Sequence, residues 1–269
     1  MKPAILIGLL VLAACSADEP AQDTDTQMPT ADGEDASSEG TSASTTSRDG
    51  GVDVDSDPSG PTTGEASDDG PLDPPPTAGT VIYVHFDGGD FTVGTDDARS
   101  NVTDFVEMGG PVAPFPLAAE QRAEVVAAMQ QLLSRFDVAI VSQRPTDGDY
   151  TMVVVTPTNP FGPAAVSIAR PDCDDANPNS VAFVFTGVGP DDATSLAARA
   201  AGRAAMTFGL EAVDTFDDLL GTYFNPGAGF TSVCQPLVMP YFCDTHAVGC
   251  AEGEQNSFQE LLVRLGPGG

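Results

Sequence analysis

Only two residues of the chain carry an imidazole, His85 and His246. Imidazole is the commonest metal ligand among side chains and a frequent general base, so both positions bear on whether the chain is an enzyme. His85 follows a run of apolar residues, which predicts a structural histidine at the end of a buried strand. His246 lies in the loop between Cys243 and Cys250, where we expect it to be exposed to solvent. A zinc site would have to combine both histidines with carboxylates.

A second candidate for ligand chemistry is the acidic stretch PDCDDANPN. It places three carboxylates close together, those of Asp172, Asp174 and Asp175. Carboxylate oxygens are preferred ligands of Ca²⁺, but the stretch lacks the glycine and the terminal glutamate of an EF-hand loop. It therefore predicts a polar turn, with weak calcium binding as the alternative.

Four cysteines lie in the C-terminal part of the chain: Cys173, Cys234, Cys243 and Cys250. None has the Cys-x-x-Cys spacing that is typical of a metal site. In an exported chain, four cysteines predict two disulfides, for which three pairings exist. We favour Cys243–Cys250 as a local bridge and Cys173–Cys234 as a longer one.

The stretch SLAARAAGRAAMTFGLEAVD, Ser195 to Asp214, has the spacing of a zinc-peptidase signature but contains no histidine. Metzincin peptidases use the pattern H-E-x-x-H-x-x-G-x-x-H, followed by a turn that contains methionine. Its first two histidines lie on one helix face, and its glycine turns the chain so that the third histidine reaches the same ion. The glutamate is the general base for the zinc-bound water.

Alignment on Gly209 shows which residues replace the ligands. Gly202, Met206 and Ala212 take the three histidine positions and Arg203 takes the glutamate position; we call these four the aligned positions. Further along, in DDLLGTYFNP, Leu220 stands where the methionine of the turn is expected.

The domain resembles a group of metzincin-like lipoproteins and secreted proteins of myxobacteria. The resemblance extends over nearly all of residues 80–267, in VIYVHFDGGDFTVGTDDARSN, RPTDGDYTMVVV, IARPDCDDANPNSVAFVF, TFGLEAV and CDTHAVGCAEGEQNSFQELLVRLGP. It implies a metzincin-like fold that has lost its zinc, because none of the three ligand positions supplies imidazole. A thioether such as that of Met206 suits copper(I) better than zinc. Arg203 is a cation that cannot accept a proton. Because a buried unpaired charge is costly, we expect Arg203 to pair with an acid or a carbonyl, with Glu211 or Asp214 as the candidates.

A peptidase domain without its metal can keep its cleft and bind an extended peptide or protein segment along a sheet edge. The strand SVAFVFTG, residues 180–187, is the predicted edge strand beside that cleft. In the opposite case the cleft has closed around the missing ion and binds nothing. The alternative function is an active, divergent zinc metallopeptidase whose rearranged metal site uses His85, His246 and carboxylates.

The predicted elements define an α+β domain with a mixed sheet backed by two long helices and followed by a C-terminal helix. Apolar patterns predict strands at 80–86, 138–143, 150–156, 164–169 and 180–187 and a helix at 116–136 with Val125, Met129, Leu132 and Phe136 on its apolar face. The motif helix is expected to begin at Asp191 or Asp192 and to end at Gly209. A capping box of Ser257 with Glu260, and Gly266 as the stop, predict the last helix.

The N-terminus predicts export and anchoring. Residues 1–14 have the layout of a secretory signal, and Leu-Ala-Ala-Cys at its end is typical of a lipobox, which implies acylation of Cys15. Residues 15–78 carry sixteen acids and one base and predict a disordered tether. The remaining domain, 79–269, has twenty-four acids, eight arginines and no lysine, which excludes nucleic acid as a partner. The resulting expectation is a lipid-anchored envelope protein, at the outer membrane, whose oligomeric state stays open.

Overall fold

The computed structural model describes residues 79–222, 224–243, 246 and 248–269. The predicted signal segment 1–14, the lipidation site Cys15 and the tether 15–78 lie outside the described residues. Among the described residues, no helix has the length and apolar character that crossing a membrane requires.

The described residues form a five-stranded mixed sheet, two small sheets and three α-helices, which confirms the α+β expectation. In chain order the strands are β1 Thr80–His85, β2 Gly89–Val93, β3 Val102–Thr103, β4 Gly110–Val112, β5 Val138–Val141, β6 Thr151–Thr156, β7 Ser167–Ile168, β8 Val181–Phe185, β9 Gln235–Pro236 and β10 Glu254–Gln255. The helices are α1 Ala119–Leu132, α2 Ala193–Thr207 and α3 Ser257–Leu265.

The large sheet has the strand order β5-β1-β6-β8-β7. Its first four strands are parallel, and β7 runs antiparallel to β8. Both faces of the sheet are covered, which explains why β6 and β8 are continuous apolar runs. Ile82 and Val184 face α1 and α2, whereas Tyr83 and Phe183 face the small sheet β3-β2-β4.

The predicted edge strand at 180–187 is wrong in position. β8 lies between β6 and β7, so β7 is the outermost strand at that side of the sheet. The segment 164–169 contributes only two residues of strand, Ser167 and Ile168, between Pro163 and Pro171. Proline cannot donate to a strand ladder, so this edge is short.

Helix α1 is shorter than the predicted 116–136. Val125 and Met129 are buried as expected, but Leu133, not Leu132, continues the apolar face, and Phe136 follows after the helix has ended. The buried positions 125, 129 and 133 follow the i+4 row of a helix.

Helix α2 begins as predicted. The side chain of its N-cap, Asp192, accepts a hydrogen bond from Ser195 N at 3.0 Å. Twelve of its fifteen residues are buried, because its alanines allow close packing between the sheet and α1.

Helix α3 departs from the sequence prediction by one residue. Asn256 is its N-cap and accepts from Gln259 N at 3.0 Å, so the predicted capping box of Ser257 with Glu260 is wrong. Ser257 is instead the first helical residue. Gly266 ends the helix at φ 79°, as predicted.

Two disulfides are present, but the favoured pairing is wrong. Cys173 pairs with Cys243 and Cys234 pairs with Cys250, with Cα atoms 5.3 and 5.7 Å apart. Both partners of the first bridge lie at the end of α2, since Asp172 N donates to Met206 O and Cys243 Sγ lies 3.8 Å from Gly209 O. Pairing of β9 with β10 brings the other two cysteines together. Two such bridges indicate that the domain folds in an oxidising, exported environment.

Candidate functional site

The aligned positions on α2 face the interior of the domain. Gly202 and Met206 are four residues apart and share one helix face. Both are buried, and Met206 is 8% exposed. The chain turns at Gly209, whose φ of 87° favours glycine. A Cβ atom at this position would lie 2.8 Å from Asp172 O, so the turn also requires the missing side chain.

The segment after this turn pairs with the segment that holds Leu220. Val213 N donates to Leu220 O at 3.1 Å, and Thr222 N donates to Val213 O at 3.1 Å. A Cβ atom at Gly202 would lie 3.8 Å from Leu220 Cδ2 and 3.3 Å from Leu219 O. Leu220 therefore lies against the helix face of Gly202 and beside the segment that continues from Ala212.

The surroundings of Gly202 are mostly aliphatic. The space into which a side chain at 202 would extend borders Leu219 and Leu220, and Leu220 is buried. This part of the helix face is packed with aliphatic side chains and has no oxygen or nitrogen ligand from the aligned positions.

Arg203 is the exception to the burial of this helix. It is the only residue from Ser195 to Glu211 that is not fully buried. Its Nη1 atom lies 2.7 Å from Met206 Sδ. Burial of the guanidinium lowers the pKa of Arg203 to about 10, so the side chain stays charged at neutral pH.

The expectation that Arg203 pairs with Glu211 or Asp214 is wrong. Asp214 Oδ1 accepts from Thr222 Oγ1 at 3.4 Å. Glu211 is buried and accepts from the backbone N–H groups of Phe242 and Cys243. Both carboxylates are thus directed to other partners, and no ion pair of Arg203 is found among the described residues.

The side chain of His246 is buried, contrary to the expectation of an exposed loop residue. Its side chain is 7% exposed and lies between two buried glutamates. Its Nε2 is 3.5 Å from Glu211 Oε2, and its Nδ1 is 4.0 Å from Glu260 Oε1. Glu260 Oε1 also accepts from Val248 N at 3.0 Å. Together the two carboxylates bind backbone amides on both sides of His246, which draws the imidazole into the interior.

The Glu211, His246 and Glu260 group, here the acid–imidazole cluster, does not have the geometry of a metal site. The two carboxylates approach different nitrogens of one ring, so their oxygens do not converge on a common point. In the part of the chain that the structure describes, no group of three His, Cys, Asp or Glu residues is placed to hold a metal ion.

His85 is engaged as the structural reading predicts. Its Nε2 lies 2.7 Å from Gly88 O, and its Nδ1 lies 2.6 Å from Tyr83 Oη. Because a carbonyl can only accept, Nε2 carries the hydrogen and Nδ1 accepts from the tyrosine. Burial lowers the pKa of His85, which favours this neutral form. Neither nitrogen has a lone pair left for a metal, so the rearranged zinc site is not assembled from this residue.

The acidic turn at 171–179 is organised by its own hydrogen bonds. Asp172 Oδ2 accepts from Asn177 N at 2.7 Å, and Arg264 Nη2 donates to Cys173 O at 2.9 Å. Asp172 and Asp175 line two different cavities, and Asp174 is exposed. The three carboxylates named for calcium are therefore not directed at one point.

One of these cavities lies at the end of β7. It has a volume of about 390 Å³ and is lined by, among others, Asp96, Asp104 and Arg170. Arg170 Nε lies 2.5 Å from Asp104 Oδ2. Burial raises the pKa of Asp96 to about 6, although its carboxylate accepts from Val181 N and Asp104 N. Sequence reasoning missed these residues, because no local motif marks residues that meet only through strand pairing.

The edge of β7 offers unpaired backbone groups. Phe185 N donates to Val166 O at 2.9 Å, so that opposed pair is hydrogen-bonded, and the next pair, Ser167 with Val184, is not. The N–H and C=O of Ser167 therefore point away from β8. Ser167 Oγ is buried and has no hydrogen-bond partner in the part of the chain that the structure describes. Since Ser167 opposes Val184, its side chain lies on the face that α2 covers.

A comparison with protein-family models gave no match for this chain, and a comparison with curated proteins gave none either.

Proposed function

We propose that the chain is an exported, lipid-anchored protein whose domain is an inactive relative of metzincin peptidases and binds an extended peptide along β7. The observation that carries the proposal is the outward-facing backbone of Ser167 on the strand beside α2. An added peptide strand would hydrogen-bond to these groups and place alternate side chains toward the end of α2.

The aligned positions support the inactive character of the domain. Met206 supplies a thioether and Arg203 a permanent cation, while Gly202 borders Leu219 and Leu220. A water molecule cannot be activated here by zinc, because the aligned positions provide no imidazole or carboxylate. We therefore expect no stoichiometric zinc in the purified protein and no cleavage of peptides.

Lipid anchoring at Cys15 and an outer-membrane location belong to the same proposal. Their support is the lipobox at the end of the signal segment, together with the disulfides that indicate export. An acyl anchor would hold the domain at the envelope through the acidic segment 15–78.

The proposed binding of a peptide along β7 is tested with two variants of Ser167. A random peptide library is panned against the full chain, and the selected peptide is titrated into the wild type, Ser167→Pro and Ser167→Ala. Proline removes the outward N–H without touching a bond to β8, so Ser167→Pro should weaken binding by about tenfold, the value of one hydrogen bond. Ser167→Ala keeps the N–H and should bind as the wild type does.

Two results would contradict the proposal. Enrichment of no peptide at all would favour a domain whose cleft has closed. Equal affinity of Ser167→Pro and the wild type, with both folded by circular dichroism, would move the binding surface away from β7.

A further inference from the structure

Among the arginines of the domain, Arg203 differs in how its charge is satisfied. Six of the eight donate to an oxygen acceptor: Arg99, Arg122, Arg144, Arg170, Arg199 and Arg264. Arg135 is exposed and stacks on Phe258, with its Cζ 5.3 Å from the ring centroid. Arg203 is partly buried, and its hydrogen bond among the described residues goes to the sulfur of Met206.

Arg199, one helical turn earlier, shows how the same helix accommodates a buried guanidinium. It donates to Phe185 O at 2.7 Å and to Pro190 O at 2.5 Å and pairs with Asp191 at 3.0 Å. A thioether is a weak acceptor and carries no negative charge. The guanidinium of Arg203 is thus drawn out of water without a compensating partner among the described residues, which is costly.

The shape of the Arg203 guanidinium indicates which chemical group can pair with it. A guanidinium presents parallel N–H groups that match the two oxygens of a carboxylate. The nearest carboxylates that follow Arg203 in sequence, those of Glu211 and Asp214, are directed elsewhere. Because Arg203 is only partly buried, a carboxylate from outside can meet it.

We propose that Arg203 is an anion-binding residue that receives a carboxylate of the bound ligand. The proposal deepens the proposed function, since it names a chemical group of the peptide that β7 would bind. The carboxylate can come from the C-terminus of the peptide or from an Asp or Glu side chain. The domain as a whole is acidic, with twenty-four acids against eight arginines, so recognition depends on direct contact with Arg203 and not on long-range attraction.

The first experiment does not depend on the peptide. The thermal unfolding temperature of the full chain is measured at pH 7 with sodium acetate and, at the same ionic strength, with acetamide plus sodium chloride. At about ten times its dissociation constant, acetate should raise the unfolding temperature by about 3 °C, and acetamide should not. Arg203→Met should lose this shift, and the exposed control Arg135→Met should keep it.

A second variant covers the case in which Arg203→Met does not fold. Arg203→Lys keeps the charge but not the paired N–H groups, so it should show a smaller shift than the wild type. An acetate shift that is absent from the wild type, or retained in full by Arg203→Met, overturns the proposal. Ser167→Pro should keep the acetate shift, which separates a failure at Arg203 from a failure of the β7 edge.

The source of the carboxylate is settled with two peptides of one sequence. The peptide selected on the full chain is compared with its C-terminal amide and with a form in which Asp and Glu are replaced by Asn and Gln. Loss of about tenfold in affinity with one form identifies the source, and Arg203→Met should abolish that difference. Equal affinity for all three forms overturns the proposal even if the peptide binds at β7.

Discussion

Arg199 and Arg203 lie one turn apart on the same face of α2, yet among the described residues only Arg199 of the two has oxygen acceptors. Arg199 reaches back to the end of β8, where Phe185 O accepts from it, whereas Arg203 reaches Met206 Sδ. Two arginines on one helix therefore differ in their hydrogen bonds: the guanidinium of Arg199 has oxygen acceptors, and that of Arg203 has only a sulfur atom among the described residues. This contrast can be measured as stability.

Replacing these two arginines should have opposite effects. Arg203→Met removes a desolvated, unpaired cation and should raise the free energy of unfolding by about 1–3 kcal/mol. Arg199→Met leaves Asp191 and two carbonyl groups without their partner and should lower it by about 3–5 kcal/mol. Urea unfolding at pH 7 measures both. A destabilised Arg203→Met would show that the contact with Met206 satisfies the guanidinium.

The acid–imidazole cluster should hold the segment around His246 in place. His246→Ala removes the imidazole between Glu211 and Glu260, so the two buried side chains lose the group that fills the space between them. The amides of Cys243 and Val248, which these glutamates bind, should then exchange with deuterium at least about tenfold faster. The amide of Val153 in the central strand β6 serves as the control and should not change.

Asp96 should make the domain less stable as the pH rises. Its pKa is about 6 in the folded domain and 3.8 ordinarily, so the folded state binds more protons between these values. The free energy of unfolding that Asp96 contributes is highest below pH 3.8 and falls through pH 6 by about 1–3 kcal/mol. The free energy of unfolding is measured by urea unfolding for the wild type and for Asp96→Asn. The value for the wild type minus the value for Asp96→Asn should be lower at pH 7 than at pH 4.

Asp97 is the matched control for this measurement. Burial opposes the shift, but hydrogen bonds from Ser100 and Arg99 lower the pKa of Asp97. Its contribution is therefore present above its ordinary pKa and is lost as the pH falls, the reverse of Asp96. If wild type minus Asp97→Asn changes in the same direction as wild type minus Asp96→Asn, the assignment to Asp96 is wrong.

If Cys15 carries the lipid anchor, its replacement should change how the protein distributes between the membrane and the soluble fraction. Cys15→Ala cannot be acylated, so the protein should move from the membrane to the soluble fraction and lose incorporation of labelled fatty acid. Ser16→Ala leaves the acceptor thiol in place and should stay with the membrane. A Cys15→Ala protein that remains labelled would exclude this anchor.

The proposed relation to metzincins is tested by restoring the ligands. Gly202→His, Arg203→Glu, Met206→His and Ala212→His together should create a stoichiometric zinc site if the backbone keeps the ancestral geometry. The side chain at 202 must displace Leu219 O, which would lie 3.3 Å from its Cβ, so some loss of stability is expected. Zinc bound per chain after dialysis is the readout, with Gly202→Ala as the control. A folded quadruple variant without zinc would contradict the relation.

The sequence by itself determined the local features. Apolar runs located β1, β6 and β8, Asp192 and Gly209 marked the ends of the motif helix, and the number of cysteines predicted two disulfides. Each of these depends on interactions between residues close in the chain or on composition. The same local rules failed by one residue at Asn256, where two neighbouring polar side chains could both serve as the cap.

Only the tertiary structure decided which distant residues meet. The pairing of Cys173 with Cys243 follows from two segments that converge at the end of α2, and β7 is the edge strand because it pairs outside β8. Likewise, Glu211 and Glu260 lie far apart in sequence but bury His246 between them. Such contacts depend on strand order and helix packing, which short-range patterns do not encode. For Arg203, the sequence indicated an unusual cation on the motif helix, and the structure showed that its acceptor is a sulfur atom and not a carboxylate.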